Sequence, residues 1–166
     1  MRIINIHNRP IAASVSQIAP LLLTLGSAQD RVWPHEDWPR MKLDRPIQAG
    51  AIGGHGPIRY RVSICEPEHR VRFEFQRGSQ GFHEITLKDE GASCLLIHTI
   101  DTQPSIGFFL AWHFYIRFMH DALIEDLFDK LQAQFEPLPQ RSRWNRYVKL
   151  LRRLAGGSIQ PRTVAE

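Results

Sequence analysis

SIGFFLAWHFYIRFMHDALIEDLFDKLQAQF, residues 105–135, is the stretch around which this chain is organised. It contains no proline, and only Gly107 near its start disfavours helix, so roughly eight turns can run unbroken. At about 100° per residue, Leu123, Ile124, Leu127, Phe128, Leu131 and Phe135 share one face. Asp121, Glu125, Asp126, Asp129, Lys130 and Gln132 occupy the other. Following the apolar stripe towards the N-terminus brings His113, Arg117 and His120 into line, at i, i+4 and i+7. Three polar side chains then point where a core belongs. That predicts a helix sealing a core at one end and lining a cavity at the other. Phe108, Trp112, Tyr115, Met119 and Ala122 form a second apolar stripe, about 100–150° from the first. A competing rotation of the first half buries this second stripe and leaves the polar residues in solvent. A straight helix cannot lay both stripes on one core, so it is buried on two sides early on or something covers the second stripe.

Working outward, the residues before this helix alternate as strands do. Ile58, Tyr60, Val62 and Ile64 alternate with Arg59, Arg61, Ser63 and Cys65; Val71, Phe73 and Phe75 alternate with Arg72, Glu74 and Gln76. His83, Ile85 and Leu87 oppose Glu84, Thr86 and Lys88, and a last strand runs from Ser93 to Thr102. Turns at Glu66-Pro67-Glu68, Gly78 to Gly81 and Asp89-Glu90-Gly91 make these consecutive hairpins, hence an antiparallel sheet. Residues 2–8 read as a first strand, broken by Arg9-Pro10. A helix comes next with capping-box spacing at Ser14 and Gln17, disturbed by Pro20 and stopped near Gly26. Trp33-Pro34 and Trp38-Pro39 bracket a loop of extended residues, and Met41 to Ile47 reads as a short strand. The Gly-rich segment Gln48 to Pro57 reads as a turn or flexible loop. It lacks a phosphate-binding GxxxxGK[ST] pattern and precedes a strand, so no helix N-terminus is available to an anion.

Strand, helices, antiparallel meander and one long C-terminal helix make an α+β chain. A curved sheet wrapped around such a helix resembles the helix-grip fold of the START-like (SRPBCC) superfamily, which includes polyketide cyclases/dehydrases and lipid-transport domains. The resemblance covers about residues 1–136. It rests most on Gly53-Gly-His-Gly-Pro-Ile-Arg-Tyr-Arg-Val62 and on Glu66-Pro-Glu-His-Arg-Val-Arg-Phe-Glu-Phe75, with Trp33-Pro34 after the small helices. It implies an apolar cavity between sheet and helix that holds a lipid, polyketide or similar hydrophobic molecule, but carries over no catalytic residue. The domain reading is a helix-grip domain over 1–136, a basic amphipathic helix over 137–155 and a flexible tail over 156–166.

The expected function is therefore binding, transport or sequestration of a hydrophobic small molecule. A cyclase/dehydratase-type enzyme and a protein-interaction module remain alternatives. His113, Arg117, His120, His83, Tyr60, Phe73, Phe75 and Trp38 are the candidate cavity residues. Convergent polar groups in an apolar pocket provide specificity, and histidine also serves as a general base near neutrality. His98 has apolar neighbours on both alternations, and its face stays unassigned. A zinc site from His83, His113 and His120 lacks any HxxxH or Cys/His pairing, so neither metal nor cofactor is expected. No GxSxG or other hydrolase arrangement appears.

The 166 residues, 43% hydrophobic and 23% charged, have the composition of one globular domain. No secretory h-region is evident at the N-terminus, and the only two cysteines, Cys65 and Cys94, fall in strands without a CxxC. The expected compartment is cytoplasmic, with both thiols reduced. The net charge of +4 is concentrated in one place: Arg141, Arg143, Arg146, Lys149, Arg152 and Arg153 occur with no acidic residue among them. Trp144, Tyr147, Val148, Leu151 and Leu154 recur between them at helical spacing. Three readings are open: docking on the long helix, contact with an anionic membrane or partner surface, and nucleic-acid binding, the last without any recognised reading module. Docking is the preferred one, with the basic face outward.

Overall fold

The computed structural model describes residues 1–137 and 140–156. Seven strands form one antiparallel sheet: β1 (Ile3–Ile11), β2 (Lys42–Leu43), β3 (Ile52–His55), β4 (Ile58–Glu66), β5 (Arg70–Phe75), β6 (Ser79–Asp89) and β7 (Cys94–Pro104). Their order is β1-β7-β6-β5-β4-β3-β2, so the first strand closes back beside the last. α1 (Val15–Leu22) comes after β1. The long helix runs as α2 (Ile106–Ala111), a π-helical turn (Trp112–Ile116) and α3 (Arg117–Gln132), and α4 (Arg146–Leu154) ends the described chain. This is the α+β helix-grip architecture expected from the sequence.

Two local expectations need correction. β1 does not break at Pro10; it continues to Ile11 and pairs Pro10 with Leu95. β1 lies at the sheet edge, where a residue without an N–H is tolerated. The Gly-rich segment is also not all loop, because β3 runs through it. A Cβ on Gly53 would collide with the Lys42 carbonyl, and one on Gly54 with the Ile58 carbonyl. These two glycines let β3 fit between its neighbours. Pro20 stays inside α1, whose start is held by the Ser14 N–H donating to Gln17 Oε1 at 2.9 Å.

The main core joins Leu123, Leu127, Phe128 and Leu131 of α3 to the inner faces of β4, β5, β6 and β7, with Trp33 and Trp38 from the loop. A smaller cluster of Ile3, Ile100 and Trp112 lies apart from it. Along β7 the inward residues run Leu96, His98, Ile100, so a polar layer separates the two apolar clusters.

The acidic side of α3 is not simply solvated. Asp126 and Asp129 are buried. Asp126 Oδ2 accepts from Trp38 Nε1 at 2.8 Å and Trp144 Nε1 at 2.9 Å. Asp129 accepts from Arg9 at 2.5 Å and from the Ser142 backbone and hydroxyl. Glu125 meets both Arg9, at 2.6 Å, and His7, at 2.9 Å. The inner face of β1 supplies Asn5, His7 and Arg9 to this zipper, a pairing between residues more than a hundred positions apart.

α4 docks on the domain. Asn145 caps it by accepting from the Val148 N–H, and Trp144 and Val148 enter the main core. The Tyr147 hydroxyl donates to the Phe114 carbonyl, and its ring meets Phe118 edge-on at 5.0 Å. Trp144, offered to a membrane or partner surface in one reading and to the long helix in the preferred one, is buried, and so is Arg152, which both readings place on the outward basic face. The Arg152 guanidinium lies over the Trp38 ring at 4.7 Å and the Trp144 ring at 5.2 Å. Arg141 pairs with Asp37 at 3.0 Å, whereas Arg143, Arg146, Lys149 and Arg153 face outward. Cys65 and Cys94 are free thiols. Among the described residues no helix is long and apolar enough to cross a membrane. The expected tail lies, from residue 157 onward, outside the described residues.

Candidate ligand cavity

The π turn determines which face of the long helix meets the sheet. The Arg117 N–H donates to the Trp112 carbonyl, five residues back, which accommodates one more residue than an α-turn. The faces of the earlier residues are therefore offset by about 100° from where straight α-helical numbering puts them. The stripe that continues Leu127, Ile124 and His120 passes through Ile116, Trp112 and Phe108, and misses His113. Arg117, the next residue round from Ile116, lies outside it as well. Both are exposed: His113 Nδ1 is bonded to the Phe109 carbonyl of its own helix, and Arg117 lies over Phe118. The expected trio is thus reduced to His120. The second apolar stripe needs no separate cover, because the turn brings much of it to the same side.

A cavity of about 740 Å³ lies between sheet and helix. Of the expected residues, His120, His83, Phe73, Phe75 and Trp38 line it, and the buried Arg152 joins them. Tyr60 is fully buried but stands behind the wall, packed edge-on against Phe73 and His83. Trp33, Phe108, Trp112 and Tyr115 add further rings. Five of the chain's eight histidines, at 35, 55, 83, 98 and 120, line this one space.

Three of them form a row. His83 stacks on Phe73 with ring centroids 4.7 Å apart; His98 lies 5.7 Å from His83, and His120 lies 5.1 Å from His98. Burial pushes all three imidazoles below their ordinary range, so they are neutral near pH 7. Burial likewise takes His55 down to about 4. His98 is 2% exposed, and neither its Nδ1 nor that of His120 has a hydrogen-bond partner.

His7 behaves in the opposite way. Asp121 at 3.1 Å and Glu125 at 2.9 Å hold its ring and raise its pKa to about 9. It is the register partner of His98 across β1 and β7, and its ring lies 5.9 Å from that of His120. Donor atoms of His7, His120 and Asp121 lie within 4.8 Å of one another, close enough to share a metal ion. Sequence reasoning assigns neither His98 to the cavity, which it lines, nor His7 to its place behind it. Their common inward face is legible only from β1 pairing with β7, and nothing local announces that pairing.

No family model and no curated protein matches the chain. Solved structures do. Norcoclaurine synthase from Thalictrum flavum, in complex with dopamine and hydroxybenzaldehyde, superposes with a TM-score of 0.62 at 15% identity, over 82% of this chain and 89% of that one. CalU16 from Micromonospora echinospora gives 0.56 at 14% identity, over 94% and 92%. EF2215 from Enterococcus faecalis, a conserved protein of unknown function, gives 0.60 at 14% identity, over 92% and 82%. At such identities the likeness shows the fold alone, a curved antiparallel sheet gripping a long helix.

Proposed function

We propose that the chain binds a hydrophobic small molecule with ring character and a hydroxyl or carbonyl group. The observation that carries this reading is His98, a residue 2% exposed whose Nδ1 has no hydrogen-bond partner, in the wall of an apolar cavity of about 740 Å³. A buried polar atom without a partner costs about 1–3 kcal/mol, and a ligand group that satisfies it recovers that penalty. The volume falls within the roughly 300–1,000 Å³ of small-molecule sites. The lining of Trp33, Trp38, Phe73, Phe75 and Trp112 favours planar rings over a flexible acyl chain. Dopamine and hydroxybenzaldehyde, held by the norcoclaurine synthase neighbour, exemplify such ligands on the same fold.

The test compares naphthalene, 2-naphthol and a fatty acid as displacers of a fluorescent hydrophobic dye from the full chain. 2-Naphthol should bind about fivefold tighter than naphthalene, the worth of one hydrogen bond near 1 kcal/mol. His98→Phe should remove that difference. Equal binding of the two naphthalenes in the unmutated chain refutes the recognition argument, and preference for the fatty acid moves the reading to lipid carriage.

A second reading, a cyclase- or dehydratase-type enzyme, has one observation in its favour. His98 and His120 are adjacent neutral imidazoles in the cavity, the protonation state a general base needs. Turnover of a β-ketone substrate by the full chain, abolished in His120→Phe, would favour it over binding alone.

A further inference from the structure

The geometry points to a zinc-type metal site, built by His7 Nε2, His120 Nδ1 and Asp121 Oδ1 at the junction of β1 and α3. It does not rest on the ligand reading above. His7 Nε2 lies 3.1 Å from Asp121 Oδ1, and His120 Nδ1 lies 3.6 Å from the same oxygen. Ligands about 2.0–2.1 Å from a tetrahedral zinc stand roughly 3.3 Å from one another, so both separations suit a shared ion, and the two imidazole donors lie within 4.8 Å of each other. Two imidazoles and a carboxylate are a donor set that borderline divalent ions prefer, and three protein ligands leave a fourth position open.

The surroundings match what a metal-binding histidine requires. The other nitrogen of His7, Nδ1, is 2.9 Å from Glu125 Oε1. That is the carboxylate–histidine arrangement that fixes tautomer and ring orientation in metal sites. Glu125 is in turn held by Arg9 at 2.6 Å, and Asp121 Oδ1 accepts from Asn5 Nδ2 at 3.1 Å. His120 Nδ1 has no hydrogen bond, although it is shielded from solvent. A coordinate bond to an ion gives that lone pair a partner. His120 also lines the cavity, whereas His7 and Asp121 do not, so the ion and a cavity ligand would share one imidazole from different sides.

The experiment uses the full chain, stripped with EDTA and titrated with zinc chloride by calorimetry. Cobalt(II) absorption in the visible serves as the readout of coordination geometry. One zinc per chain should bind, with a Kd at or below about 1 µM, and zinc should raise the thermal midpoint. His120→Ala should weaken binding at least about tenfold and abolish most of the rise in thermal midpoint that zinc gives the unmutated chain. Should the alanine variant fail to fold, His120→Phe keeps the ring volume without the nitrogens and carries the same expectation. Glu125→Gln should weaken zinc by about 10–100-fold through His7. The exposed His113→Ala is the control and should change nothing. The site is overturned by absence of saturable binding, by a His120 variant that binds as tightly as the unmutated chain, or by His113→Ala losing as much affinity as His120→Ala.

Discussion

Trp144→Ala asks whether α4 is part of the fold or an appendage. Trp144 is 5% exposed and belongs to the main core. Its Nε1–H donates to Asp126 Oδ2, and its ring meets that of Trp38 edge-on at 5.6 Å. Truncating a buried tryptophan to alanine costs about 3–5 kcal/mol, and a hydrogen bond to a charged group contributes about 1.5–3 kcal/mol. These terms overlap, because the single substitution removes both. We expect a loss of roughly 4–6 kcal/mol. For a chain of this length that lowers the midpoint by ~8–24 °C, at about 2–4 °C per kcal/mol. Trp144→Phe keeps most of the packing and should cost only about 1.5–3 kcal/mol. Urea titration followed by far-UV circular dichroism measures both. A loss under about 1 kcal/mol for the alanine variant would mean that Trp144 is not docked in the core and that α4 is an appendage.

Two further outcomes come from burial and charge. Burial lowers the His55 pKa from 6.5 to about 4, so the unfolded chain takes up this proton before the native one does. Its contribution is intact above pH 6.5 and is lost as pH falls towards 4, by roughly 3 kcal/mol in total. Urea midpoints between pH 8 and 4.5 should show the decline, and His55→Gln should flatten part of it; stability rising on acidification contradicts the burial argument. Arg146, Lys149 and Arg153 are exposed on α4, so phosphatidylserine vesicles should retain the full chain at low salt, with about 1 kcal/mol from each basic residue. Retention that survives high salt, or the double variant R146E/K149E, would show apolar insertion in place of charge.

The sheet is legible in the sequence because alternation is a local signal: each hairpin carries its own turn and its own apolar face. The helix is legible as a helix, but the direction of its first half is not. A π turn leaves no gap in composition, and Trp112 to Ile116 reads as ordinary amphipathic helix. His113 and Arg117 are therefore placed inward by an arithmetic that the backbone interrupts. Asp126 and Asp129 read as a solvated face because their partners come from three separate places: Arg9 on β1, Trp38 in the loop, and Ser142 and Trp144 before α4. Arg152 reads as a surface residue because a guanidinium is seldom buried, and the two tryptophan rings beside it come from segments that nothing local ties to it. His98 has no assignable face until its pairing with His7 supplies one.

The π turn between Trp112 and Ile116 gives the cavity wall two registers. As it stands, the turn absorbs a surplus residue, and the residues on either side keep their faces. Deleting the exposed Phe114 would let the helix close to ordinary pitch with Trp112 and Phe108 still inward, so the loss of one codon leaves the lining intact. Tightening the same turn with every residue retained does the opposite. The N-terminal half would swing by about 100°, carrying His113 towards the cavity and Trp112 away from it. The pitch of this single turn therefore decides whether Trp112 or His113 faces the cavity, while the histidines of the sheet and His120 stay where they are.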